Sequence, residues 1–462
     1  MHLPRPVRWR AFASSHYRPF QAIAVGQAFT ASYASDALFV PLLLLLGAPA
    51  ALVVLVGAAP VGGAALQALA PQILRRMKGD LRGLTVALAL AEVRGFVLAA
   101  IVAGVAAGVV GHLPGIVLIS VTVAVGQTAG VLSASNITLW TAVVLPDAER
   151  RLVGPRMGAL TMALSTILLL PAGYVLDAGT QAIGMWAYVA FYVVGGVAST
   201  LTPLAVARLP HPGRVLVARE RAGGAEVPSG YRRFRDASVV ASFGQGLLPA
   251  LSLYALRVLG MSAGFAVALS GVGAAGALAG SLAAGSFLFG GSSSRVLRAS
   301  FVIRAVAGVC CAAAVPANPL APIFLLVGSA LFNGGGNAGV LATNERLYRL
   351  VPAQARVHYQ SRFVGATAAA AGAGAVVCAT VLTLVPRPRG PPTWPSTPGP
   401  RSAGRSRRCG ARSRRRGAAR PSRPPTPRSR ATAGRSRPGP NSPPDPGGHT
   451  STATAVLVAA DS

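Results

Sequence analysis

Long uncharged runs separate short basic segments along the first 386 residues. An apolar helix needs about 20 residues to cross about 30 Å of hydrocarbon, and the runs at 37–74 and 95–146 are long enough to cross twice. The pattern predicts eleven membrane-spanning segments. Numbered span 1 to span 11 in chain order, they are residues 20–46, 50–73, 83–109, 113–140, 157–178, 183–205, 236–257, 262–289, 296–315, 320–343 and 363–385.

The backbone of such segments has no water to bond, so only helices or a closed β-barrel satisfy its polar groups. The runs are long and lack the period-2 alternation of barrel strands. Composition agrees, because 52% of the residues are hydrophobic and only 12% are charged, against about 25% charged in soluble domains. The sequence therefore predicts an all-α polytopic membrane protein.

Basic residues fall in alternate connections between the spans, which hold 25 of the 27 Lys and Arg of this region. Arg257 lies in an opposite connection and Arg94 lies inside span 3. This positive-inside asymmetry predicts a cytoplasmic N-terminal segment (1–19) and a cytoplasmic central loop (206–235). The first apolar segment is too long for a cleavable signal. The strong preference for Arg over Lys indicates a GC-rich bacterial genome, so we expect a multi-pass protein of the cytoplasmic (inner) membrane.

The two halves of this region repeat each other. Short matches recur in the same order at equivalent points of the predicted topology. They pair Val25-Gly26-Gln27 with Phe243-Gly244-Gln245, Val93-Arg94 with Ile303-Arg304, and Pro146, Arg150 and Arg156 with Pro352, Arg356 and Arg362. Six spans (20–205), the central loop and five further spans (236–386) in the same orientation predict a parallel repeat about an axis normal to the membrane.

Over residues 1–386 this plan resembles the major facilitator superfamily (MFS). The loop between spans 2 and 3 keeps the Asp80 and Gly83 of the family motif, although Leu81 and Leu84 replace basic residues. Span 5 carries Leu170-Pro171-Ala172-Gly173-Tyr174, without the preceding Gly of the antiporter signature. The resemblance implies two pseudo-symmetric helical bundles, of six and five transmembrane helices here, that move a substrate by alternating access.

The chain changes composition after residue 386. Residues 387–462 hold 16 Arg, two acidic residues and many Pro, Ser and Gly. Such a segment cannot bury a core, and we expect a disordered C-terminal tail. We interpret it as a frame-shifted product that has replaced the twelfth helix of the family. The alternative is a basic tail attracted to anionic lipid or nucleic acid; nothing in its pattern favours nucleic acid.

The resemblance implies that spans 1, 4, 7 and 10 line the transport cavity. The polar residues of these spans are therefore the candidates for substrate binding: Gln27, Thr30, Tyr33, Gln127, Asn136, Trp140, Gln245, Tyr254, Asn333 and Asn337. Hydrogen bonds between helices, worth about 0.6 kcal/mol each on average, are the alternative role for each.

Three ionisable residues inside the spans are candidates for coupling or charge pairing, because charge in lipid is costly. Asp36 lies in span 1, and Glu92 and Arg94 lie in span 3. Residues two apart on a helix do not face each other, so Glu92 and Arg94 each need another partner. Asp36 is the natural partner of Arg94, and it is also the candidate for carrying a proton.

These features predict a secondary active transporter of a small organic molecule, working as a monomer in the lipid bilayer with the proton as a possible coupling ion. Export is favoured, since the cavity spans offer amides, hydroxyls and aromatic rings but little fixed charge. No catalytic constellation, metal-ligand spacing or cofactor motif is present in the sequence. The alternative is a transport-inactive membrane protein of the same family, defective or truncated.

Overall fold

The apolar runs form helices in the computed structural model, which describes residues 17–34, 36–78, 80–145, 147–209, 229–247, 249–289, 293–351 and 356–384. Sixteen α-helices occupy these residues. They are α1 (Arg18–Tyr33), α2 (Asp36–Leu45), α3 (Ala50–Gly63), α4 (Ala70–Arg76), α5 (Leu81–Leu90), α6 (Gly95–Ala106), α7 (His112–Val144), α8 (Asp147–Ile183), α9 (Trp186–Ser199), α10 (Leu201–Ala207), α11 (Ser229–Phe243), α12 (Pro249–Arg257), α13 (Ala263–Phe289), α14 (Ser293–Ala313), α15 (Ala321–Leu350) and α16 (Arg356–Leu384).

Eleven stretches of these helices are long and apolar enough to cross a membrane, which confirms the predicted spans. Five of the spans are not single α-helices. Span 1 consists of α1 and α2, span 2 of α3 and α4, span 3 of α5 and α6, span 6 of α9 and α10, and span 7 of α11 and α12. Short 3₁₀ segments at Ala64–Leu69, Ala91–Arg94 and Gly244–Leu247 join the pieces of spans 2, 3 and 7.

Spans 5 and 10 extend beyond the predicted bounds, since α8 begins at Asp147 and α15 continues to Leu350. The last residues of the predicted central loop are helical, because α11 begins at Ser229. Most of that loop, most of the N-terminal segment and the whole predicted tail (387–462) lie outside the described residues.

The same helix pairs recur in the two halves. In the first half, span 1 packs against span 5, span 2 against span 4, and span 3 against span 4. In the second half the corresponding pairs are spans 7 and 11, spans 8 and 10, and spans 9 and 10. Span 6 also packs against spans 1 and 3 in the first half. No described helix of the second half occupies the corresponding place against spans 7 and 9.

The two halves meet through spans 2 and 11 and through spans 5 and 8. Small residues allow the close approach of these helices. A Cβ built on Gly372 would lie 3.0 Å from the Cα of Gly62. A Cβ on Gly173 would run into the carbonyl oxygen of Gly264. The interface between the halves therefore consists of two backbone-to-backbone seams.

The apolar cores differ between the two ends of the bundle. The end that carries the basic connections is called the basic end, and the other the far end. At the far end one buried cluster joins the halves, and it includes Tyr33 and Leu176 from the first half with Leu253, Val267 and Ala379 from the second. At the basic end each half has its own buried cluster, one around Trp140 and one around Phe234 and Tyr359.

Candidate functional site

A break in span 1 is held by Arg94. Helix α1 ends at Tyr33 and α2 begins at Asp36, so the carbonyl of Ala34 lies at the end of α1. The guanidinium of Arg94 donates to that carbonyl from Nε at 3.2 Å and from the second terminal nitrogen at 3.0 Å. Its other terminal nitrogen donates to the Gly126 carbonyl of span 4 at 3.1 Å. Arg94 therefore ties spans 1, 3 and 4 together through backbone carbonyls.

Glu92 is almost fully buried, with 2% of its surface exposed. Its carboxylate faces the hydroxyls of Thr202 in span 6 and Ser133 in span 4. Glu92 and Arg94 form no ion pair with each other, in agreement with their spacing of two residues. The side chain of Asp36 lies outside the described part of the structure. Its pairing with Arg94 remains a prediction.

The second half contains a cavity of about 170 Å³, lined by both apolar and polar side chains. Spans 7, 9, 10 and 11 line it, all toward the basic end. Among the described residues that line it, Arg304 of span 9 has the only charged side chain. With the amide of Gln245 oriented so that its oxygen faces the guanidinium, that oxygen accepts hydrogen bonds at 3.1 and 3.3 Å from the terminal nitrogens of Arg304. The guanidinium carbon also lies 5.6 Å from the ring centre of Phe332.

Arg304 has no carboxylate partner among the described residues. Its buried Nε lacks a hydrogen-bond partner there as well. Repeat matching pairs Arg304 with Arg94, yet sequence reasoning did not single it out as a site residue. The signal that was available is that it is an arginine eleven positions inside an apolar helix that begins at Ser293.

Several predicted substrate-binding residues are already engaged within the first half. Thr30 donates to the Gly26 carbonyl of its own helix at 3.0 Å. Tyr33 packs its ring against Phe29 and Phe191. Asn136 accepts a hydrogen bond at 3.1 Å from Gln67 of span 2. Trp140 is fully buried in the core at the basic end.

Hydrogen bonds also engage the predicted amides of span 10. Asn333 donates to the carbonyl of Ser329 at 2.9 Å. Asn337 donates to the Ala277 carbonyl of span 8 at 3.1 Å and to the hydroxyl of Ser281. The Tyr254 hydroxyl of span 7 donates to the Ala314 carbonyl at 2.6 Å. These side chains stabilise helix contacts in this conformation.

Gln27 and Gln127 are the predicted amides that make no hydrogen bond within the described part of the chain. Gln27 is half-buried on span 1 and Gln127 is buried on span 4. They retain both donor and acceptor capacity for a substrate. The structure therefore brings Gln245 to Arg304 but does not gather the ten predicted residues into one site.

One acidic residue at the far end was not predicted. Asp177, near the end of span 5, accepts hydrogen bonds from the backbone N–H of Gly264 at 2.8 Å and from the hydroxyl of Ser262 at 2.7 Å. Both partners lie at the start of span 8. Arg257, at the end of span 7, donates to the Ala48 carbonyl at 3.1 Å. These bonds join the two halves at the far end. The sequence shows Asp177 and Arg257 only as isolated charges and does not indicate their partners.

No family model and no curated protein matches the chain. Solved structures do match. The xylose transporter XylE from E. coli is 13% identical, with a TM-score of 0.54 over 81% of this chain and 100% of its own. The nucleoside transporter NupG is 12% identical, with a TM-score of 0.53 over 79% and 91%.

FucP, the E. coli fucose:proton symporter, is 15% identical, with a TM-score of 0.52 over 80% of this chain and 98% of its own. Another FucP structure is described as an MFS transporter. Identities this low establish the fold alone. Together with the eleven spans, the repeated helix pairs and the seams between the halves, they show that this chain has the fold of the major facilitator superfamily.

Proposed function

We propose that the protein is a secondary active transporter that moves a small organic molecule across the cytoplasmic membrane by alternating access. The observation that carries the proposal is the asymmetric closure of the two halves. They share one apolar core at the far end, while each keeps its own core at the basic end. Two repeated bundles that meet through small-residue seams can rock about a central site, as alternating access requires.

Hydrogen bonds and part of the shared apolar core hold the halves together at the far end. Asp177 with Ser262 and Gly264, and Arg257 with Ala48, are the hydrogen bonds described above. Opening toward that end requires breaking these bonds and separating Leu253 and Val267 from the shared core.

The chemistry of the substrate is inferred from the free polar groups. Gln27 and Gln127 offer neutral amides, which favours an uncharged organic molecule with hydroxyl or amide groups. The proteins of similar structure are a xylose transporter, a nucleoside transporter and a fucose:proton symporter. We propose a proton as the coupling ion, with Asp36 as its carrier, and export as the direction. The positive-inside asymmetry supports a cytoplasmic N-terminus in the inner membrane, and we propose that the protein works as a monomer.

The test uses the full-length protein in liposomes with a pH gradient and a labelled panel of nucleosides, pentoses and hexoses. We expect at least one compound to accumulate in a manner that an ionophore abolishes. Asp36→Asn is expected to abolish accumulation while leaving an inserted protein. Asp236→Asn is the matched control, because Asp236 is exposed and pairs with Arg235 beside it, its one ion-pair partner among the described residues. Undiminished, gradient-dependent transport by Asp36→Asn would contradict the coupling role.

The alternative is a transport-inactive member of the fold. The observation that favours it is the exposure of span 9, which in the described structure lacks a counterpart of span 6. Spin-label distances between the halves at both ends distinguish the two functions. A transporter is expected to show two populations whose far-end and basic-end distances change in opposite directions, whereas an inactive protein is expected to show one.

A further inference from the structure

Beside the Arg304 cavity, spans 7 and 9 have surfaces whose equivalents in the first half are covered by a helix. Gly26 of span 1 is pressed against span 6, since a Cβ on it would lie 2.9 Å from the backbone nitrogen of Thr202. Gly244 is its repeat equivalent in span 7, and a Cβ there would meet nothing within 4 Å. The two repeat-equivalent glycines therefore differ in their surroundings. Gly26 of span 1 packs against a helix, whereas Gly244 of span 7 faces open space.

The neighbouring span shows the same difference. Gly95 follows Arg94, and a Cβ on it would lie 2.7 Å from the Cα of Gly196 in span 6. Ala305 follows Arg304 at the equivalent position of span 9, and it is exposed. The surfaces of spans 7 and 9 that correspond to the seat of span 6 are thus uncovered by any described residue, and the Arg304 cavity lies between these spans.

The interior of the cavity is suited to an anion. The Arg304 guanidinium has no acidic partner among the described residues, and its Nε is unpaired there. The Thr343 hydroxyl and the Asn344 amide also line the cavity, and neither makes a hydrogen bond to another described residue. One cation and two neutral donors line the cavity, and no carboxylate among the described lining residues repels a negative ligand.

The mouth of the cavity is apolar. Phe301 and Val340 line it, and they are 42% and 50% exposed. Val302, Val306 and Val309 continue the exposed surface along span 9, at 64%, 48% and 71% exposure. Exposed valines in the middle of a membrane span face hydrocarbon. A ligand that enters here needs a polar, negative end for the cavity and an apolar remainder for span 9.

We propose that this cavity binds the headgroup of an anionic phospholipid, with the phosphate at Arg304 and the acyl chains along the exposed valines of span 9. Arginine suits this role because its planar fork matches the geometry of phosphate oxygens. The location also fits, since all of the lining residues lie toward the basic end, where anionic lipid gathers beside basic loops. The lipid occupies part of the space that span 6 occupies in the first half.

The test measures the thermal unfolding midpoint of the purified full-length protein in a non-ionic detergent. Phosphatidylglycerol or phosphatidylcholine is added at equal molar ratio. We expect phosphatidylglycerol to raise the midpoint by about 5 °C and phosphatidylcholine to leave it unchanged. Arg304→Gln is expected to lose the response. Arg298→Gln is the matched control, because Arg298 is an exposed arginine on the same helix, and it is expected to keep the response.

A second variant tests the proposal independently, in case Arg304→Gln misfolds. Thr343→Phe keeps the guanidinium but fills the cavity, and it is also expected to lose the response. A full response by both variants would overturn the proposal. So would an equal shift produced in the wild-type protein by sodium phosphate alone, because a soluble anion would then be the ligand. The outcome is independent of transport, since no step of the assay requires a substrate.

Discussion

Spans 3 and 9 are repeat equivalents with the same sequence landmark and opposite surroundings. Ala99 and Val309 each lie five residues after the matched arginine. Ala99 is 5% exposed and lies one turn after Gly95, which contacts Gly196 of span 6, whereas Val309 is 71% exposed. The repeat determines where a helix stands, but the environment of a residue depends on whether its neighbouring helix is there.

The two matched arginines, Arg94 and Arg304, have different hydrogen-bond partners because their surroundings differ. The guanidinium of Arg94 donates hydrogen bonds to the carbonyls of Ala34 and Gly126 and lies in a packed interior. Arg304 faces a cavity and the amide of Gln245. One position in the repeat therefore serves as a structural anchor in the first half and as a candidate ligand group in the second.

The largest difference in stability is expected between a variant that lacks Arg94 and a variant that lacks Arg304. Arg94→Leu removes the donor to the carbonyls of Ala34 and Gly126. We expect it to destabilise the protein by about 2–5 kcal/mol, at roughly 1–3 kcal/mol for each buried acceptor left unsatisfied. Arg304→Leu is expected to be neutral or slightly stabilising in lipid-free detergent, because no carboxylate loses a partner. Thermal unfolding in detergent compares them, and equal midpoints would contradict the assigned roles.

A smaller effect is expected from the two matched glycines. Gly26→Ala forces a methyl group into Thr202, and we expect a loss of about 1–3 kcal/mol. Gly244→Ala places its methyl group in open space and is expected to change stability by less than about 1 kcal/mol, in the stabilising direction. The same thermal assay measures both. If Gly244→Ala proved as harmful as Gly26→Ala, a helix would cover span 7 as well.

The sequence was sufficient to predict the spans and their repeat, because hydrophobic runs and charge asymmetry are local properties of the chain. It did not reveal the break in span 1, nor that Arg94 of span 3 bonds the Ala34 carbonyl there. Nor did it reveal which amides are engaged. Asn337 bonds span 8 while Gln127 bonds no described residue, although both are amides on predicted cavity helices. That difference depends on the neighbouring helix, which a single sequence does not display.

The smallest effect is expected from the predicted tail. A segment rich in Pro and Arg offers no apolar area to offset the entropy of ordering. Deleting residues 387–462 is therefore expected to leave the unfolding midpoint within about 1 °C of the full chain. Joining an apolar helix of about 20 residues after Val385 is expected to raise it, by covering spans 7 and 9. A loss of folding on deletion would give the tail a structural role.

The most direct test of the central claim compares the oxygen accessibility of spin labels at the two matched positions. Ala99→Cys and Val309→Cys are labelled in a background in which the four native cysteines are replaced by serine, and the protein is measured in liposomes. We predict high accessibility at position 309, typical of a site that faces lipid, and low accessibility at position 99 on the side of span 3 that packs against span 6. Equal, low accessibility at both positions would show that span 9 is covered and would contradict this prediction.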